Sequence, residues 1–71
     1  MKVEYRGFEI DAHRERSLGG DLLLYYSVFR IEDGWEMESG FQDSAETTPA
    51  MIGYLKELVD DYYVNPQDYD D

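Results

Sequence analysis

The 71-residue chain has no cysteine, one histidine, two prolines and only six lysine or arginine residues. Without cysteine there is no disulfide framework, no thiolate metal site and no cysteine nucleophile, so a domain this small must be held by packing alone. The lone histidine, His13, stands between Ala12 and Arg14. It has no second histidine or cysteine with which to share a zinc ion, and no nucleophile beside it to activate. Six cations face 17 acids, a formal net charge of −11. That balance excludes direct binding of a nucleic-acid backbone, where each phosphate contact needs a cation, and it disfavours docking on an anionic membrane surface. No apolar run approaches the ~20 residues that span a bilayer, and the first residues lack the apolar segment of a secretory signal. These absences point to a cytoplasmic protein.

Two motif-like stretches also fail on inspection. Asp68-Tyr69-Asp70-Asp71 lacks the central glycine and closing glutamate of a calcium loop. Ser17-Leu18-Gly19-Gly20-Asp21 lacks a Gly-Lys-Ser or Gly-Lys-Thr ending and precedes a strand, so it is a turn and not a phosphate cradle. No cofactor and no metal are expected. The length allows one domain, with no cleft between domains, and the expectation is a non-enzymatic protein. With 42% hydrophobic and 15% aromatic residues, the chain should nevertheless fold despite its charge.

What is present reads as an α+β fold. Val3-Glu4-Tyr5, a turn at Arg6-Gly7, and the alternation of Phe8, Ile10 and Ala12 with Glu9 and Asp11 describe a short strand and a half-buried one. Residues 22–31, rich in Leu, Tyr, Val, Phe and Ile, form the central strand, and residues 35–41 the last. A three-residue loop, Glu32-Asp33-Gly34, sets Ile31 opposite Trp35, Phe29 opposite Met37 and Arg30 opposite Glu36. Thr48 as N-cap and Pro49 at the first helical position start a helix whose apolar face is Met51, Ile52, Leu55, Leu58, Val59 and Tyr62, and Asn65-Pro66 ends it. The expectation is a small antiparallel sheet of three or four strands, with one C-terminal helix packed on one face, forming a single domain over residues 1–66. Residues 67–71 are expected to be a mobile acidic tail.

Splitting the charge along the chain is informative. In residues 1–31, Glu4, Glu9, Asp11, Glu15 and Asp21 cancel Lys2, Arg6, Arg14, Arg16 and Arg30; residues 32–71 hold twelve acids and only Lys56, and so carry the whole −11. Solubility needs a net charge of only ~2 to 8 in a small domain. The candidate partner-binding surface is therefore Glu32, Asp33, Glu36, Glu38 and Asp43 around the last hairpin, with Glu57, Asp60 and Asp61 on the outer helix face. Glu57 and Asp61 are four apart and repel, and Asp60 and Asp61 sit near the unfavourable end of the helix dipole. One helix covers one sheet face, so Leu24, Tyr26 and Val28, taken to lie on the other, form a candidate hydrophobic association face through which a homodimer would form.

A compact, cysteine-free, strongly acidic chain of this length and architecture resembles the phage-encoded anti-CRISPR proteins, several of which act as nucleic-acid mimics. The resemblance lies in size, charge and architecture. The segments Tyr5-Arg6-Gly7-Phe8-Glu9-Ile10 and Tyr25-Tyr26-Ser27-Val28-Phe29-Arg30-Ile31-Glu32-Asp33-Gly34 also resemble small bacterial and prophage proteins. What it implies is an inhibitor in the host bacterial cytoplasm that uses its acidic surface to occupy the DNA-binding site of a CRISPR effector complex. The alternative from the residues alone is a dimerising, antitoxin-like or regulatory module that binds a different basic protein.

Overall fold

Turn chemistry sets the first hairpin. Arg6 and Gly7 take φ of 51° and 85°, the two successive positive values that a two-residue type I′ turn requires, and they join β1 (Lys2–Tyr5) to β2 (Phe8–Arg16). β3 (Leu22–Arg30), β4 (Glu36–Gln42) and α1 (Thr48–Val64) follow. The computed structural model describes residues 1–43 and 46–65, so the expected tail at residues 67–71 lies outside the described residues. The strands form one antiparallel sheet in the order β1-β2-β3-β4, and α1 packs across it. The α+β fold is as the sequence predicts, and the first hairpin, which the sequence leaves as two strands or one bent strand, is two strands. No helix among the described residues is long and apolar enough to cross a membrane.

The core is small and lies between α1 and the sheet. Phe8, Ile10 and Ala12 of β2, Leu24 and Val28 of β3, and Met51, Ile52, Leu55 and Val59 of α1 are buried together. Val3, Tyr5, Tyr26, Trp35, Met37, Leu58 and Tyr62 close around them. The pairing Ile10↔Val28 and Ala12↔Tyr26 places even-numbered residues of both central strands on the helix side. The expectation that Leu24, Tyr26 and Val28 form an exposed association face is therefore overturned: Leu24 and Val28 are fully buried beneath the helix and Tyr26 is half-buried. The open face belongs instead to Leu23, Tyr25, Ser27 and Phe29.

The last hairpin explains the error. Its loop holds four residues, 31–34, not three: Arg30 N–H donates to the Trp35 carbonyl (2.7 Å) and Gly34 N–H to that of Arg30 (2.8 Å). Arg30 is thus level with Trp35, Ile31 turns out to solvent, and Phe29 faces Glu36 where Met37 was expected. A bulge follows, since Val28 pairs with Glu38. The extra residue is Met37, so Trp35 and Met37 both reach the core, through a bulge where simple register had been expected to bring them there. Arg30 does not meet Glu36; it grips Asp33 in the loop with two bonds, 3.0 and 2.7 Å. The helix cap also moves by one residue. Thr47, not Thr48, is the N-cap, its Oγ1 accepting from Ala50 N–H at 3.2 Å, and Pro49 follows within the first turn.

Candidate functional site

Period-two alternation sorts the charges of the first half by face. Along β2, Glu9, Asp11, His13 and Glu15 alternate with Phe8, Ile10, Ala12, Arg14 and Arg16. The acids and the histidine point away from the helix, because Phe8, Ile10 and Ala12 among their alternates are buried under it. Cross-strand pairing extends this face into rows. Glu4, Glu9, Phe29 and Glu36 form one, Lys2, Asp11, Ser27 and Ser39 the next, then His13, Tyr25 and Phe41, and finally Glu15 with Leu23. The face therefore carries Glu4, Glu9, Asp11, Glu15 and Glu36 against one lysine and one histidine.

The centre of this face is aromatic. The His13 and Tyr25 rings stack with centroids 5.7 Å apart and planes 14° from parallel, and Tyr25 meets Phe41 at 5.6 Å. Phe41 is 62% exposed. Acids border the strip: His13 lies 3.8 Å from Asp11 and 3.6 Å from Glu15, and Lys2 reaches Glu9 at 3.7 Å. Glu4 and Glu9 are direct cross-strand partners, a like-charge placement that opposes sheet stability.

The arginines of the first half are engaged elsewhere. Arg14 donates to the Glu46 carbonyl and Arg16 to that of Gly20 (2.9 Å). Arg6 donates to Asp60 at 2.7 Å, its guanidinium lies over the Tyr63 ring at 4.4 Å, and Tyr63 OH donates to the Arg6 carbonyl at 2.7 Å. Tyr5 OH also donates to Asp60, at 3.0 Å. Arg6, and after it Tyr5, hold the Asp60 carboxyl below its ordinary range, and the bond to Asp60 raises the Tyr5 phenol in turn. In the last hairpin, Arg30, and after it the Trp35 N–H, hold Asp33 down to about 2.

The eight acids singled out from the sequence do not form one surface. Asp33 and Asp60 are held in these internal ion pairs. Glu32 is at the exposed hairpin tip, Asp43 is exposed after β4, and Glu57 and Asp61 are exposed on α1. Glu38 faces the helix side of the sheet, level with Val28. Only Glu36 joins the open face. Sequence reasoning missed Glu4, Glu9, Asp11 and Glu15 because acids and bases cancel along residues 1–31; counting alternate residues of β2 separately would have found three of them.

Chemically, the open face offers carboxylates, aromatic rings, the His13 imidazole and the hydroxyls of Ser27 and Ser39. Among the described residues there is no cluster of three metal-binding side chains. Comparison of the chain with protein-family models, with curated proteins and with solved structures finds no match.

Proposed function

We propose that the chain is a non-enzymatic interaction protein whose open sheet face occupies a cationic, nucleic-acid-binding site on a partner protein. The observation that carries this reading is the sorting of five carboxylates, Glu4, Glu9, Asp11, Glu15 and Glu36, onto an uncovered face around Tyr25, Phe29 and Phe41. Protein grooves that hold single-stranded nucleic acid combine cations for phosphates with stacking groups for bases. This face supplies the complement of both: carboxylates accept the same charge-assisted bonds as phosphates, and exposed rings accept arginine or aromatic side chains. The Glu4↔Glu9 pairing works against the sheet and in favour of a cationic partner. A dimerising module is the weaker reading, because its expected face is buried and a dimer through the open face would set carboxylates against carboxylates.

The resemblance to anti-CRISPR proteins makes a CRISPR effector complex the first partner to test. Target-DNA binding by a panel of guide-loaded effectors is measured by gel shift with and without the chain. The expected result is a block that excess DNA relieves and that weakens steeply between ~50 and 200 mM salt. The double variant E9K/E36K should lose the block while keeping its melting temperature. A block that survives this charge reversal, or ignores salt, refutes the reading; no block of any effector refutes the CRISPR assignment.

A further inference from the structure

On the helix side of the sheet, a second surface is left uncovered at the opposite edge from β1. α1 lies mainly over β2 and touches β3 less, so among the described residues β4, the last strand in the sheet order, has neither a strand on its outer edge nor the helix directly above it. Between β4 and α1 runs a groove of about 170 Å³. Its lining is mixed: Met51 and Leu55, both buried, and Leu58 supply an apolar side, and Gln42 and Glu46 stand with them as polar neighbours. Tyr26 forms part of the wall by lying flat across Gly40, where a Cβ would come within 2.9 Å of the Tyr26 hydroxyl. Glu38 lines the same groove. Apart from a local bond from Ser39 N–H at 3.3 Å, Glu38 has no ion pair among the described residues. Lys56, the only cation of α1, is directed to the other side, 5.3 Å from the Tyr5 ring.

Shape and charge together select an occupant. An apolar cavity of ~150 Å³ takes benzene, with six heavy atoms, so this groove has room for the four methylenes and the ammonium group of a lysine. The apolar side suits the methylenes, and Glu38 suits the ammonium. The backbone of β4 beside the groove is an unpaired edge, and such edges accept an added strand whose alternate side chains fill neighbouring pockets. Glu38 on that edge repels a second copy of β4 and attracts a basic segment.

We propose that the free edge of β4 and the groove between β4 and α1 form a binding site for an extended basic segment of a partner protein, added as a fifth strand, with a lysine lying in the groove against Glu38. The site is on the opposite face from the rows around Tyr25 and does not depend on the function assigned to them. The test titrates ¹⁵N-labelled protein at low salt with a synthetic peptide of alternating lysine and threonine, and with the analogue in which glutamate replaces lysine. Binding of the lysine peptide should shift the amides of Ser39, Gly40 and Phe41 together with those of Met51 and Leu58, and slow hydrogen exchange along β4. The glutamate peptide should not bind. Glu38→Gln should weaken the lysine peptide by about tenfold, the order of one lost charge-assisted bond, and Tyr54→Lys, at the exposed rim, should compete for Glu38 to similar effect. Glu9→Gln, on the open face, should leave the affinity within about twofold. Shifts confined to β2 and to Leu23 and Tyr25 of β3, equal binding of both peptides, indifference to Glu38→Gln, or self-association through β4 would each overturn the proposal.

Discussion

Leu23 and Leu24 are neighbours of identical chemistry on opposite faces of β3, and replacing each by alanine measures which face the helix covers. Leu24 is fully buried among Ile10, Val28 and Leu55 in the core cluster. Its truncation removes buried methyl groups and leaves a cavity that the helix can fill only in part, at a cost of about 3 kcal/mol. At ~0.05–0.15 kcal/mol per residue, a chain of this length has a stability of roughly 4–11 kcal/mol, so the change removes about a quarter of it or more. At ~4–8 °C per kcal/mol, the melting temperature should fall by about 12–24 °C. Leu23 is only half-buried, beside Glu15 on the open face. Its truncation should cost about 1 kcal/mol or less. Thermal and urea unfolding followed by circular dichroism give both values. Equal losses, or a larger loss at Leu23, would refute the placement of the helix. Leu23→Ala should also weaken partner binding with no more than that small loss of stability, which separates the role of the open face from that of the core.

Two further predictions concern the caps and charges. The Arg30–Asp33 pair contributes stability that is fully present above the ordinary Asp pKa near 3.8 and is lost as the pH falls through the folded value of about 2. Asp33→Asn should therefore melt below the parent chain at pH 7, and the gap should close between pH 4 and 2; a gap constant with pH would remove the pair from the account. Thr47→Ala should cost about 1 kcal/mol in urea unfolding because Ala50 N–H loses its acceptor, whereas Thr48→Ala should cost less, and the reverse order would place the cap at Thr48.

The elements were legible in the sequence because each carries a local signal. The Phe8-Ile10-Ala12 alternation, the glycine-bearing loops and the apolar spacing from Met51 to Tyr62 placed a sheet of three or four strands and a helix, with β2 running on to Arg16, beyond the alternation that marked it. The faces were not legible, because β3 is apolar on both sides: Leu22, Leu24, Tyr26 and Val28 on one, Leu23, Tyr25 and Phe29 on the other. β2 is the strand whose alternation distinguishes inside from outside, and what transmits its choice to β3 is the parity of the intervening loop. Five residues, 17–21, separate the paired ends Arg16 and Leu22, so even numbers meet even numbers; one residue more would have inverted β3. The second error has a similar origin. Requiring Trp35 and Met37 to share the core was correct, but a bulge meets that requirement as well as a shorter loop does, and nothing local distinguishes the two. The candidate site suffered most, since a charge total along the chain is blind to an alternation across it.

The grip of Asp60 and Tyr63 on the first turn has a dynamic meaning. Arg6 is not a residue that adopts left-handed backbone readily, so the turn at Arg6-Gly7 depends on the bonds that bracket it from the last part of α1, more than fifty residues away in sequence. Among the described residues, β1 in turn has only β2 as a strand neighbour. The opening strand and the closing turns of the helix therefore loosen together. Fraying at either end releases the other, and the two extremities of the described chain behave as a single cooperative clasp around a core that neither could secure alone.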